Sequence, residues 1–322
     1  MSELPTNYQR DASFDSRLAD DEIDLRELFS AIWAGKWVIS AVTGVFAIVA
    51  VAIALYLPNI YKSEVLLAPA SSEQSSGLAG LAGQFGGLAS LAGINLGGSG
   101  IDKTTLAIEV MKSREFIAQF IDKHDLLVPL MAVKSWDSEA NKLVLDSDKY
   151  NSDSNQWTRE PVPPRQAKPS PLEAFEEFRQ ILNVSQDKQT SLVKVSIEHY
   201  SPIVAQQWVE WLTIAINDEM KTRDLREAQR SIAYLERQLA QTRVAEMQTV
   251  LYQLIEEQTK TIMFAEVRDE YVFKTVDPAV IPELRARPAR ALICVLGTVL
   301  GALFGTIIVL IRYFYKKESS AR

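Results

Sequence analysis

Histidine and cysteine, which often carry out catalysis or bind metal ions, are rare in this chain. His124 and His199 are its only histidines, and Cys294 is its only cysteine. The usual nitrogen and sulfur ligands of a metal ion are therefore too few to form a cluster. We expect a surface or capping role for each histidine, and we predict neither a metal site, nor a catalytic site, nor a bound cofactor.

Neighbouring carboxylates could in principle supply a general acid and a general base. Such groups occur at Glu173, Glu176 and Glu177 and again at Glu256 and Glu257. Both groups lie in segments with helical periodicity and an apolar opposite face, which favours solvated carboxylates on a surface. We therefore predict that the protein is not an enzyme.

A pair of tryptophans could serve carbohydrate recognition. Trp208 and Trp211 lie three residues apart, which places them on one face of a helix, where their rings could stack on sugars. The neighbouring apolar residues Val204 and Ala215 favour a different role. We predict that the two rings pack in a core between this helix and a sheet.

A glycine-rich stretch at residues 76–100 holds nine of the fourteen glycines and no charged residue. A phosphate-binding loop needs the pattern Gly-x4-Gly-Lys-Ser/Thr, in which backbone amides surround the phosphates and a lysine meets their charge. The only Gly-Lys pair is Gly35-Lys36, and Trp37 follows it. Nucleotide binding is therefore not predicted.

Three other interpretations of the glycine-rich stretch remain open. It is long enough for a third membrane span, and its composition also suits an inert flexible linker. Its bulky residues recur at helical spacings, however, and small residues between them allow close approach of two backbones. We favour a loop that becomes ordered against neighbouring subunits, with contacts through Leu78, Leu81, Phe85 and Leu88.

Two long apolar segments indicate a membrane protein. Residues 37–57 and 291–311 each contain 21 residues without a charge. At 1.5 Å per residue, each would form a helix of about 31 Å, which is roughly the thickness of the hydrocarbon core of a bilayer. The first segment is not a cleaved signal peptide, because 36 mostly polar residues precede it. We predict two transmembrane helices.

The two spans divide the chain into five parts. Both termini lie on one side of the membrane, and Arg312, Lys316 and Lys317 after the second span favour the cytoplasm for that side. The overall net charge of −7 argues against a nucleic acid partner. The predicted parts are an N-terminal segment with an interfacial helix at 1–36, a span at 37–57, a periplasmic domain at 58–290, a span at 291–311 and a tail at 312–322.

Periodicity predicts the elements of the central domain. Residues 61–69 and 191–199 have strand character, residues 104–127 form an amphipathic helix, and residues 135–171 form an irregular surface excursion. Ser201 and Pro202 then begin a long helix that extends to about residue 265. This helix either folds back on itself near residues 240–249 or starts far from the membrane and runs toward it.

The second span carries a regular series of small residues. Gly297, Gly301 and Gly305 form two overlapping Gly-x3-Gly steps on one helix face. Without side chains, this face allows another helix to approach closely. We predict that it packs against the first span, another subunit or a membrane partner.

Three stretches resemble one family, the Wzz-type chain-length determinants, which are polysaccharide co-polymerases of bacterial inner membranes. "IDLRELFSAIWAGKWVI" is similar to the N-terminal signature of the family, and "TTLAIEVMKSREFIAQFI" resembles its first periplasmic helix. "DPAVIPELRARPARALI" resembles its proline motif before the last span, although Arg285 replaces the middle proline. The residues that match this motif are Asp277, Ala279, Pro282, Pro288 and Arg290.

The resemblance implies a fold and a task. The fold would be an α+β membrane protein in which two transmembrane helices bracket a periplasmic α/β base domain with a long helical projection. Such proteins form ring-shaped homo-oligomers that set the length of O-antigen or a related polysaccharide together with a Wzy-type polymerase, and the growing glycan is a further candidate partner. The sequence ends 11 residues after Ile311, so it resembles the kinase-less group of the family.

Two alternative functions remain open. The first is an export adaptor for capsule or exopolysaccharide that works with a separate tyrosine kinase. The second is a membrane-anchored enzyme that modifies glycans, and the absence of a recognisable acid and base pair in the sequence argues against it.

Overall fold

The computed structural model describes residues 25–70 and 102–320, which form two units. One unit contains residues 25–57 and 288–320, and the other contains residues 58–70 and 102–287. The glycine-rich stretch at 76–100 lies outside the described residues. The contacts predicted for Leu78, Leu81, Phe85 and Leu88 therefore remain a prediction.

Three helices make up the first unit. Helix α1 (Leu25–Ala34) is separated by Gly35 from α2 (Lys36–Tyr56), and α2 packs along α9 (Arg290–Ser320). Among the described residues, Lys36–Tyr56 and Arg290–Tyr315 are long and apolar enough, by length and composition, to cross a membrane. Helix α9 continues beyond the predicted end of the span at Ile311, so the predicted tail is helical as far as Ser320.

A four-stranded antiparallel sheet forms the centre of the second unit. Its strands are β1 (Tyr61–Pro69), β6 (Leu182–Gln186), β7 (Val193–His199) and β8 (Phe273–Asp277), in the spatial order β6-β7-β1-β8. The register pairs Tyr61 with His199 at one end of β1. Together with the two apolar helices and the long helix described below, this sheet gives the mixed α and β fold that the sequence predicted.

The core lies between the sheet and the helices that pack against it. These helices are α3 (Lys103–Met111), α4 (Arg114–Lys123), α5 (Leu127–Met131), α6 (Pro171–Ile181) and the first half of α7 (Pro202–Gln241). Helices α3 and α4 were predicted as one helix, but Ser113 interrupts it and caps α4 by accepting a hydrogen bond from the Phe116 N–H. The largest fully buried side chains include Trp208, Phe178, Phe273, Leu67, Met111 and Ile117.

The long helical segment folds back on itself. Helix α7 ends at Gln241, and α8 (Ala245–Val267) packs against it. Ala228 is buried on the second half of α7, and Leu251 and Ala265 are buried on α8. Of the two geometries predicted for this segment, the structure therefore has the hairpin.

The region from residue 133 to residue 171 is more regular than predicted. It contains two small antiparallel hairpins, β2 (Val133–Asp137) with β3 (Lys142–Leu145) and β4 (Tyr150–Asn151) with β5 (Gln156–Trp157). The prediction of an irregular excursion was wrong for these strands. Local aromatic contacts and tight turns hold them, and these turns contain no proline. Tyr150 and Trp157, for example, make an edge contact across one hairpin with ring centroids 5.1 Å apart.

Candidate functional site

A groove on α9 accepts the first apolar helix. Gly301 faces α2 closely, since a Cβ built on it would lie 2.7 Å from the Phe46 Cβ and 3.0 Å from the Thr43 Cα. The Phe46 ring also stacks on Phe304, with centroids 5.7 Å apart. A side chain at position 301 would therefore push the two helices apart.

The other two glycines of the series face the same helix. A Cβ on Gly305 would lie 3.0 Å from the Ile39 Cα, and a Cβ on Gly297 would overlap Ala50. Gly44 of α2 differs, because a Cβ built there meets nothing within 4 Å. The structure thus places all three predicted glycines at the α2–α9 contact, and it provides an open glycine for comparison.

The predicted motif before the second span follows the edge of β1. Asp277 ends β8, Ala279 is buried in the core, and the Ser63 hydroxyl donates a 2.8 Å hydrogen bond to the Val280 carbonyl. Arg287 then pairs with Ile60 in an isolated antiparallel bridge. Pro288 and Arg290 belong to the other unit. Only the first part of the motif therefore lies along this edge.

Both connections to the apolar helices leave the second unit at one point. The Ile60–Arg287 bridge lies next to the Tyr61–His199 pair of the sheet. The Arg287 guanidinium also lies 3.3 Å from the Glu198 carboxylate of the neighbouring strand. The two ends of the chain segment that forms the second unit are therefore held together at this end of the sheet.

His199 occupies a buried position at the end of β7, just before α7 begins. Its Nδ1 accepts a 3.0 Å hydrogen bond from the Ser201 N–H, and its Nε2 lies 3.0 Å from the Pro129 carbonyl oxygen. Because the first nitrogen accepts, the second carries the proton and donates, which describes a neutral ring. Burial lowers the pKa of His199. The expectation of a surface or capping role was wrong as to exposure, since only 5% of His199 is exposed.

The two tryptophans of α7 have different environments. Trp208 is buried against His199 and Phe178, so the predicted core packing is confirmed for it. Trp211 is partly buried and stacks on His124, with centroids 4.5 Å apart. Burial, followed by the charge of Lys123, lowers the pKa of His124.

Glu173 anchors the chain that precedes α6. Its carboxylate accepts hydrogen bonds of 2.7 Å and 3.2 Å from the Arg159 guanidinium, and it completes a capping box with Ser170. The Arg159 hydrogen bond is the main reason why the pKa of Glu173 falls to about 2. With this pKa the carboxyl group of Glu173 stays ionised at neutral pH, so it suits a structural anchor rather than a general acid.

The remaining carboxylates show no catalytic arrangement in the described residues. Glu256 forms a surface ion pair with Lys260, which lowers the pKa of the carboxyl group. No three His, Cys, Asp or Glu side chains are placed to hold a metal ion in residues 25–70 and 102–320. A cleft of about 780 Å³ between α4 and the segment before α6 is lined by side chains of mixed polarity, among them Asp122, Asp125 and Lys168.

The sequence did not reveal the polar side chains that anchor the long helix. The Asn217 Oδ1 accepts hydrogen bonds from the Val272 and Phe273 N–H groups, and its Nδ2 donates to the Phe273 carbonyl. Nearby, the Asp224 carboxylate accepts from the Tyr271 hydroxyl at 2.6 Å and from Lys103 at 2.7 Å. A single buried amide such as Asn217 creates no periodic pattern in the sequence. It can be identified as an anchor only when the position of β8 is known.

Two family models match separate parts of this chain. Residues 21–124 match the family model "Wzz: Chain length determinant protein", and residues 235–314 match the model "GNVR: G-rich domain on putative tyrosine kinase". No curated protein matches the chain significantly.

Two solved structures show a distant likeness. A "full-length bacterial polysaccharide co-polymerase" has 14% identity over 92% of this chain and 99% of its own, with a TM-score of 0.37. A "Fragment of WzzB, Polysaccharide Co-polymerase from Salmonella Typhimurium" has 15% identity over 71% of this chain and 100% of its own, with a TM-score of 0.26.

Proposed function

We propose that this chain, whose residues 21–124 match the family model of Wzz chain-length determinants, sets the length of O-antigen in lipopolysaccharide as a scaffold for a Wzy-type polymerase. Regulation of polysaccharide chain length is the general task of the family. We further propose that the regulated polysaccharide is O-antigen and that the partner is the polymerase. In this role the protein organises the polymerase, and the growing glycan with it, so that termination occurs at a characteristic length.

The single observation that carries the proposal is the matched Wzz region at residues 21–124. This region includes α2, strand β1 and the two helices α3 and α4, which belong to the core of the second unit. The part of the chain that the structure describes contains no clustered metal ligands, and its most perturbed carboxyl group, Glu173, is held by an arginine. A scaffold needs no such chemistry.

We extend the proposal to location and assembly. The two apolar helices would anchor the protein in the inner membrane of a Gram-negative bacterium, with both termini in the cytoplasm and residues 58–290 in the periplasm. Subunits would form a ring-shaped homo-oligomer. The predicted contact residues Leu81, Phe85 and Leu88 would stabilise that ring, and their joint replacement with serine would weaken it and shorten the polysaccharide.

One observation favours a second candidate function. The GNVR model, whose description names a tyrosine kinase, matches residues 235–314. The protein would then be an export adaptor for capsule or exopolysaccharide that works with a separate kinase. Both candidates use the same membrane anchors and differ in the polysaccharide that depends on them.

The experiment that separates them is a deletion of the gene with complementation. Lipopolysaccharide from the three strains is resolved by repeat number, and surface capsule and secreted polysaccharide are quantified in parallel. We expect that deletion replaces a cluster of lengths with a continuous run of mostly short chains, and that complementation restores the cluster. An unchanged lipopolysaccharide pattern with loss of capsule or secreted polysaccharide would instead identify the export adaptor.

A further inference from the structure

An exposed apolar strip borders the second unit where the chain leads to α9. Four large apolar side chains within nine residues are open to solvent on this strip. Val276 is 55% exposed, Val280 is 64% exposed, Ile281 is 53% exposed and Leu284 is 84% exposed. Soluble surfaces seldom expose apolar residues at this density, and an apolar patch usually marks a contact with a partner or a membrane.

The backbone around the strip is fixed, which keeps these side chains outside the core. Ala279 is buried, and the Val280 carbonyl accepts the hydrogen bond from Ser63. Further along, the Ala286 N–H donates a 2.8 Å hydrogen bond to the Ile60 carbonyl. The segment is therefore tied at residue 280 to β1 and at residue 286 to the residue that precedes β1, and it cannot fold inward to hide its apolar residues.

Chain connectivity limits how far this strip lies from the ends of the apolar helices. Arg290, where α9 begins, is three positions after Arg287, and Ile60 is four positions after Tyr56, where α2 ends. A fully extended chain covers at most about 3.6 Å per residue, so these distances are at most about 11 Å and about 14 Å. If both helices span a bilayer, the paired residues Ile60 and Arg287 lie close to its surface.

The charges in the strip suit the same surface. Arg285 and Arg287 follow Leu284 in the sequence, and arginine side chains next to apolar residues are favoured where lipid phosphates meet acyl chains. Asp277 and Glu283 carry opposing charges in the same segment, and the Arg287 guanidinium already lies 3.3 Å from the Glu198 carboxylate, so Arg285 is the arginine available to a lipid phosphate. An exposed apolar edge with an arginine beside it fits a lipid surface better than it fits water.

We propose that residues 276–287 form a lipid-docking edge, in which Ile281 and Leu284 enter the interfacial layer of the membrane and Arg285 contacts lipid phosphates. The occupant is the bilayer itself, because the strip is continuous with a predicted span. This edge would hold the adjoining end of the sheet at the membrane surface. The inference depends on the two helices spanning a membrane, but it does not depend on which polysaccharide is regulated.

The test measures the depth of a spin label on the full-length protein in nanodiscs of phosphatidylethanolamine and phosphatidylglycerol. In a Cys294→Ala background, a nitroxide is attached to Leu284→Cys and, in a separate sample, to Ile281→Cys. The control is Val244→Cys, which is 58% exposed and lies after the end of α7. Helix α7 has 40 residues and is thus about 60 Å long, and it begins beside the Tyr61–His199 end of the sheet.

Collisions with oxygen, which concentrates in lipid, are compared with collisions with a water-soluble nickel chelate. We expect the ratio of oxygen to nickel collisions to be several-fold higher at positions 281 and 284 than at position 244. Equal ratios at all three positions would overturn the proposal. Low access to both reagents, with spin–spin broadening that disappears on dilution with unlabelled protein, would also overturn it by showing that a second copy covers the strip. The chain-length pattern is read separately, so either failure leaves the proposed function to its own test.

Discussion

The side-chain amide of Asn217 on α7 forms two hydrogen bonds with the backbone of Phe273 on β8. The Asn217 Oδ1 accepts from the Phe273 N–H at 3.0 Å, and its Nδ2 donates to the Phe273 carbonyl at 3.2 Å. Both residues are buried. The long helix is thereby attached to the edge strand that leads toward the second apolar helix.

Replacement of Asn217 with leucine should destabilise the second unit strongly. The Val272 and Phe273 N–H groups would lose their acceptor in a buried position, and each unsatisfied group costs about 1–3 kcal/mol. We therefore expect a loss of about 3 kcal/mol in the free energy of unfolding, measured by denaturant titration of the full chain in detergent. The matched control is Gln207→Leu, an exposed amide on the same helix, which should change stability little. Equal stability of the two variants would show that the amide is not an anchor.

The glycine face of α9 predicts a sharp difference between two glycine substitutions. Gly301→Leu should separate α2 from α9, because its Cβ would meet Phe46 and Thr43, whereas Gly44→Leu should be tolerated because the space around it is open. The separation can be measured as the yield of a disulfide between Phe46→Cys and Phe304→Cys in a Cys294→Ala background. We expect a high yield with Gly44→Leu and a low yield with Gly301→Leu. Equal yields would contradict a close α2–α9 contact.

The Glu173–Arg159 pair predicts a loss of stability in acid. The pKa of Glu173 is about 2 in the folded protein, and that of an unfolded glutamate is about 4.3. The pair therefore contributes fully above about pH 4.3, and its contribution is lost as the pH falls from there to about 2.

Glu173→Gln should remove this part of the pH dependence. We expect unfolding of the variant to be easier than that of the wild type at pH 6, by on the order of 1 kcal/mol, and the difference should shrink toward pH 2.5. Glu176→Gln, an exposed carboxylate on the same helix, serves as the control and should match the wild type throughout. A constant difference between Glu173→Gln and wild type at all pH values would contradict the ionic role.

His199 predicts a second pH dependence in a higher range. Burial lowers its pKa below the unfolded value of about 6.5, so folding favours the neutral ring. Stability is complete above about pH 6.5 and falls below it, because the unfolded chain binds the proton more readily. His199→Phe should lower stability at pH 7.5 by about 1–3 kcal/mol, since Ser201 and Pro129 lose their hydrogen-bond partner, and should flatten the slope between pH 7 and pH 5.

The other histidine provides the control for that slope. His124 is partly exposed and stacks on Trp211, and burial lowers its pKa in the same direction. Because His124 is less buried than His199, its contribution to the slope should be the smaller one, and His124→Gln should retain most of the slope. If His124→Gln flattens the slope and His199→Phe does not, the buried ring is not the group that titrates.

The sequence predicted the elements whose signals are local. Charge-free length indicated the two apolar helices, and Ser201 with Pro202 marked the start of α7 because a hydroxyl cap and a proline at the first turn act within a few residues. The same reasoning failed at Ser113, where a serine inside an amphipathic pattern begins a new helix. Strand β6 was not predicted, because its five residues alternate only weakly and gain their stability from pairing with β7.

The candidate site was predictable only in part for a related reason. The spacing of Gly297, Gly301 and Gly305 indicates a packing face, but α2 becomes identifiable as its neighbour only in three dimensions. Asn217 and the exposed strip at 276–284 depend on which residues the fold buries. Long-range contacts of this kind leave no periodicity in the sequence.

The most direct test of the central claim is an exchange of genes between strains. This gene replaces the chain-length determinant of a host whose O-antigen has a different modal length, with the host polymerase unchanged, and the number of repeats per chain is counted on lipopolysaccharide gels. If this protein sets length, the modal number should move to the value seen in its own strain. A modal number that stays at the host value while the protein is expressed and inserted in the membrane would contradict that claim.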